Sequence, residues 1–227
     1  MSRECELRDC GRLGYAEALE LQEFLVTERK AGRIPDQLLL LEHPHVVTLG
    51  RNGHMDNLLA SEEMLERGGI GFYRTRRGGD ITYHGPGQIV GYPIFDLREW
   101  KRDVVAYVRA LEEALIDAVA EFGVQAERSA EGHTGVWVDG RKLAAIGVHI
   151  SRWVTSHGFA LNHETELSYF RYIVPCGLTL PVTSLADLGV AAPREKVCEA
   201  IVRGFARVFN LHIRPVDAWA HILEKTQ

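Results

Sequence analysis

Two apolar runs, residues 136–138 and 143–150, stand on either side of Asp139-Gly140. A two-residue turn needs backbone at positive φ, which glycine adopts freely, so Asp-Gly between such runs predicts a β-hairpin. A hairpin commits this part of the chain to an antiparallel sheet. Other short runs extend the pattern. Residues 38–41 and 46–49 read as strands around His43-Pro44-His45, residues 81–84 and 88–95 as strands around Gly85-Pro86-Gly87, and residues 159–162 as one more. Three helices are predicted. Residues 15–30 place Ala18, Leu21 and Leu25 on one face. Residues 103–122 place Val104, Val108, Leu111, Leu115, Ala118 and Phe122 on one face, with Gly123 as the stop. Residues 193–209 turn Val197, Ile201, Phe205 and Val208 inward. Strands and helices mix without βαβ alternation, so the expected class is α+β. We expect a single domain over residues 1–227, with a mixed, largely antiparallel sheet flanked by helices.

The net charge of −5 argues against a broad basic face, so no nucleic-acid partner is expected. One local basic cluster, Arg74, Arg76 and Arg77, reads either as a solvated turn or as a docking point. No apolar run approaches the roughly 20 residues of a membrane helix, and residues 1–6 lack the apolar stretch of a secretory leader. The four cysteines form no C-x-x-C pair and are too scattered for a disulfide framework, which points to a reducing, cytoplasmic setting. His43, His45 and His54 do not match a zinc spacing. Neither a metal nor a cofactor is expected.

Four features can carry chemistry. Lys142 follows the Asp-Gly turn, and strand alternation places it on the face of Ala144, Ile146, Val148 and Ile150. A charged amine is costly there, so Lys142 reads either as a proton acceptor or as a lysine whose stem lies along the sheet while its head reaches water. Cys176 stands between Pro175 and Gly177, flanks that suit a shaped loop; it is either a nucleophile or a small buried hydrophobe. A thiol needs a base or cation nearby to ionise, and Lys142 is the candidate. The Gly177 N–H could serve a developing oxyanion. Cys5 and Cys10 fall in a terminus expected to be loose, and Cys198 on the last helix, so none of them reads as a site. The segment Arg76-Arg77-Gly78-Gly79-Asp80-Ile81-Thr82-Tyr83-His84-Gly85-Pro86-Gly87-Gln88 matches no phosphate-loop or dinucleotide pattern and reads as a ligand-shaped loop or a decorated hairpin. Small residues at Ala144, Ala145, Gly147, Gly158 and Ala160 leave room for a slender apolar chain, or else mark tight strand packing.

These segments, taken in order, resemble the lipoate-protein octanoyl transferase family. The matching stretches are Leu41-Glu42-His43-Pro44, Thr48-Leu49-Gly50-Arg51, Arg77 to Gln88, Arg141-Lys142-Leu143-Ala144-Ala145-Ile146-Gly147, His157-Gly158-Phe159-Ala160-Leu161-Asn162, Pro175-Cys176-Gly177 and Thr183-Ser184-Leu185. They run from about residue 41 to 185 and are specific as a set. One departure is Glu166, where the family often has Asp before Leu-Ser. The resemblance implies a fold like the catalytic domains of biotin protein ligases and lipoate ligases. It implies that an octanoyl group passes from octanoyl-acyl carrier protein to the cysteine as a thioester. From there it passes to the lysine ε-amine of lipoyl domains, those of 2-oxoacid dehydrogenase complexes and of the glycine cleavage H protein. Cys176 and Lys142 would form the catalytic dyad. Arg77, Gly78, Gly79, Asp80, Ile81, Thr82, Tyr83 and His84, with Ala145, Ile146, Gly147, Gly158, Phe159 and Ala160, would line the acyl channel. Arg74, Arg76 and Arg141 could meet an acidic carrier. The competing readings are an ATP-dependent lipoate or biotin ligase on the same fold, and a non-catalytic acyl-binding module.

Overall fold

The computed structural model describes residues 2–174 and 181–219. Its main sheet has seven strands, in the order β10-β1-β2-β6-β9-β8-β7. These are β1 (Arg3–Arg12), β2 (Asp36–Glu42), β6 (Gln88–Ile94), β7 (Val136–Val138), β8 (Arg141–Ser151), β9 (Val154–Asn162) and β10 (Leu211–Pro215). The β10-β1-β2 edge is parallel, and everything from β2 to β7 is antiparallel. A second sheet sets β3 (Val46–Leu49) between β4 (Gly71–Arg74) and β5 (Ile81–His84). The mixed, mostly antiparallel α+β architecture is the one expected.

The Asp-Gly hairpin forms as read. Asp139 has φ 48° and Gly140 φ 72°, the paired positive values of a tight turn between β7 and β8. Helix α1 (Tyr15–Lys30) lies on one face of the main sheet and buries Ala18, Leu21 and Leu25 there. Helices α3 (Val104–Ala120) and α4 (Arg194–Phe209) cover the other. A short α2 (Glu62–Arg67) packs by the second sheet. Asp103 caps α3 by accepting the Ala106 N–H at 2.9 Å. Its inward face is Tyr107, Ala110, Leu111, Ala114, Leu115, Ala118 and Val119, one step round from the stripe read off the sequence. Val104 is therefore exposed.

The N-terminus is not loose. Residues 3–12 form an inner strand of the sheet, and Cys5 is fully buried. The apolar alternation that would have announced this strand is hidden by Glu6 and Arg8, both buried and satisfied by each other and by Gln37. A buried ionic set of this kind replaces apolar residues without an unmet charge.

The α3–α4 contact depends on Gly204. A Cβ there would lie 2.3 Å from the Ala114 carbonyl oxygen. Gly204→Val is expected to force the two helices apart and destabilise the protein by about 1–3 kcal/mol. A urea titration should show this as a lowered midpoint; an unchanged midpoint would mean that the helices have slack.

Candidate active site

A cavity of about 500 Å³ opens between the glycine-rich loop and the β8–β9 pair. Residues 77–82 and His84 line it on one side, and residues 145–147 and 158–160 on the other, with Lys142 among them. Tyr83 is the exception within the loop. It points into the second sheet's core, stacks on Tyr169 at 5.2 Å and shares a 2.7 Å hydrogen bond with His45 Nδ1. Cys176, with Pro175 and Gly177, lies outside the described residues.

The loop is shaped from within. Arg77, read as part of a surface cluster, turns inward and is buried. Its guanidinium donates to the Thr48 carbonyl at 2.7 Å and to Thr48 Oγ1 at 2.8 Å. Gly78 donates its N–H to the Val148 carbonyl at 2.8 Å, which lays the loop against β8. That approach requires Gly147, where a Cβ would come within 2.8 Å of the Gly78 oxygen. Arg74 and Arg76 remain exposed, whereas Arg141 is ion-paired to Asp187 at 2.8 Å.

The position of Lys142 differs from the sequence reading. Along β7 and β8, Val136 pairs with Ala144 but Trp137 pairs with Lys142, so β8 carries one extra residue at this point. Val136 and Trp137 are neighbours and face opposite ways. Their partners do the same: Ala144 enters the core below α3 and α4, while Lys142 is turned to the other face. A β-bulge re-aims a side chain in just this manner. Lys142, a half-buried residue, thus leaves the face of Ala144, and its ammonium stands 4.8 Å from the centre of the Trp137 ring.

The backbone of Lys142 is held on its other edge by the segment that follows Cys176 in the chain. Its N–H donates to the Pro181 carbonyl at 2.9 Å, and its carbonyl accepts from the Thr183 N–H at 3.0 Å. A buried relay supports that segment from beneath. Asn162 Nδ2 donates to the Thr183 carbonyl at 2.9 Å, and Gln88 Nε2 donates to Asn162 Oδ1 at 2.9 Å. This leaves Gln88 Oε1 to accept from His84 Nδ1–H at 2.8 Å. Gln88, His157 and Asn162, from the stretches that match the family, also line the cavity, as do two residues that the sequence did not mark, Tyr15 and Tyr92. Each of these two is an ordinary strand or helix residue by pattern, and only the packing of α1 against β6 and β9 turns it toward this space.

The histidines and Tyr15 at this site are kept neutral. Burial lowers His84 and His157 to about 3 and His43 to about 4. Burial raises Tyr15 to about 12. Burial also holds the other thiols protonated, raising Cys10 and Cys198 to about 11 and Cys5 well above its ordinary range. None of these three cysteines lines the cavity.

The lipoyl protein ligase A/B catalytic domain matches residues 14–206. An octanoyltransferase of Solibacter usitatus is 64% identical over 94% of this chain and 96% of its own length.

The chain belongs to the octanoyltransferase family.

It is therefore an acyltransferase. The fold agrees. A lipoate-protein ligase A bound with ATP superposes with a TM-score of 0.77 at 16% identity, over 96% of this chain and 89% of that one. Biotin protein ligase from Aquifex aeolicus gives 0.52 at 10% identity, over 92% and 70%. Such distant likeness establishes architecture, and it is the architecture that the family resemblance implied. Among the described residues, no helix is long and apolar enough to cross a membrane.

Proposed function

We propose that this acyltransferase carries an octanoyl group from an acyl carrier protein to the ε-amine of a lysine on lipoyl domains, through a thioester on Cys176. The observation that carries the reading is the place of Lys142. It lines the same cavity as the glycine-rich loop, and its backbone is hydrogen-bonded to the segment that begins five residues after Cys176. The acceptors would be lipoyl domains of 2-oxoacid dehydrogenase complexes and of the glycine cleavage H protein, in the cytoplasm. Residues 1–227 would act as one catalytic domain.

In this reading the Cys176 thiolate attacks the thioester carbonyl of the donor. The tetrahedral intermediate collapses, the carrier's thiolate leaves and takes up a proton, and the acyl group remains on Cys176. The acceptor amine then attacks the new thioester. An amide forms, the Cys176 sulfur is released, and Lys142 takes the proton from the attacking nitrogen. One thioester replaces another in the first step, and a more stable amide replaces a thioester in the second, so no ATP is needed. A cavity walled by small residues suits a slender apolar chain with few polar anchors.

The test is an incubation with octanoyl-acyl carrier protein in the absence of ATP, read by intact mass. We expect a hydroxylamine-labile octanoyl adduct on the wild type and none on Cys176→Ser. No adduct, but transfer to a lipoyl domain once ATP and free octanoate are supplied, would make the protein a ligase and return Cys176 to an ordinary loop cysteine.

A further inference from the structure

We propose that Trp137 is a positioning residue for the reaction, with its ring face holding the Lys142 ammonium in place at the cavity wall. The inference rests on the Cys176–Lys142 reading and adds the group that sets one partner's place. Trp137 and Lys142 are cross-strand partners, and the ammonium lies 4.8 Å from the ring centre, within range of a cation–π attraction. The ring is itself immobilised. Trp137 is 4% exposed, and its indole N–H donates to the His133 carbonyl at 3.3 Å. Its backbone exchanges two hydrogen bonds with Glu127, at 2.8 and 2.9 Å. The same indole therefore ties Lys142 to the loop of His133 and Thr134, which also lines the cavity. The β-bulge gives the arrangement its purpose. In an unbroken ladder continued from the Val136–Ala144 pair, Lys142 would stand opposite Val138, on the core side, and not opposite Trp137.

A cation fixed by a ring face is a better partner for a thiolate than one on a free stem, because the charge stays in place while the thiol ionises. Among the described residues, the charged groups beside this pair include His133 with Glu131, Arg141 with Asp187, and Glu127. Across the cavity stand Arg77, Asp80 and the neutral His84.

The experiment replaces Trp137 site-specifically by tryptophans of increasing fluorination, which keep shape and N–H but weaken the ring's attraction for a cation. Trp137→Phe and Trp137→Met accompany them, with Lys142→Ala as reference. The first readout is the pH midpoint of Cys176 alkylation by iodoacetamide, corrected with Cys176→Ser; the second is the single-turnover rate of acylation. The midpoint is expected to rise stepwise with fluorine number and to rise most in Trp137→Met, while Trp137→Phe stays close to the wild type. Acylation at neutral pH is expected to slow by about 5- to 30-fold in Trp137→Met, as loss of a partly desolvated cation–π contact implies. If Lys142→Ala moves the midpoint but the fluorinated series does not, the role of Trp137 is overturned and the dyad stands. If Lys142→Ala itself leaves the midpoint unmoved, the dyad reading fails.

Discussion

Lys142→Ala is expected to cut both half-reactions, the acylation of Cys176 and the onward transfer to an acceptor lysine, by about 10²- to 10⁴-fold, the range for loss of a positioned proton-transfer group. The two steps need different things from this side chain. Acylation needs a nearby positive charge to favour the thiolate. Onward transfer needs a group that can accept a proton from the attacking amine. Lys142→Arg separates the two, since a guanidinium keeps the charge but does not give up its proton. The arginine variant should therefore retain part of the acylation rate and lose the transfer step. Rapid-quench measurements of acyl-enzyme formation and decay check both arms. Wild-type decay in the arginine variant would show that Lys142 acts by charge alone, and wild-type rates in the alanine variant would remove it from the chemistry. Since Lys142 is half-buried on a strand whose hydrogen bonds run through its backbone, neither change should disturb the fold.

Acidification from pH 7 to pH 5 is expected to remove up to about 6 kcal/mol of folding stability, much of what a typical domain possesses. Three buried histidines are responsible. Burial lowers His43 from 6.5 to about 4, and His84 and His157 to about 3. All three are hemmed in. His43 donates Nδ1–H to the Leu13 carbonyl at 2.8 Å and accepts the Tyr92 hydroxyl on Nε2 at 2.7 Å. His157 sits edge-on to Tyr92 at 6.1 Å. The sign follows from proton counts. Between about pH 6.5 and pH 4 the unfolded chain binds protons at these sites and the folded chain does not, so stability falls as pH falls. Each site contributes about 2 kcal/mol at pH 5. Asp36, raised by burial, acts in the opposite sense. Calorimetry should find Tm lower by roughly 10–20 °C at pH 5 than at pH 7. His157→Asn tests the cause. Its backbone lies at φ 54°, which asparagine tolerates, and its slope of stability against pH should be visibly shallower. An unchanged slope would place the acid sensitivity elsewhere.

The sequence by itself determined most of the framework. The Asp139-Gly140 turn, α1, α3, α4 and the strands flanking Gly85-Pro86-Gly87 all follow from local rules, where a turn residue or an apolar period states its own conformation. It also marked the loop of residues 77–84, the small residues of β8 and β9, and Lys142, because glycines and an isolated cation in apolar strands have few structural uses. What it missed is non-local. Strand β1 reads as polar because Glu6 and Arg8 satisfy each other only after β1 has paired with β2. Tyr15 and Tyr92 enter the cavity wall from α1 and β6, elements far apart in the chain that meet only when α1 packs on the sheet. The direction of Lys142 is the clearest case. Strict alternation sends it to the face of Ala144, yet one extra residue in β8 reverses it onto Trp137. Period-two reading assumes an unbroken ladder, and whether a ladder breaks is settled by how the neighbouring strand docks. The tertiary structure alone decided which face of the sheet received the cation.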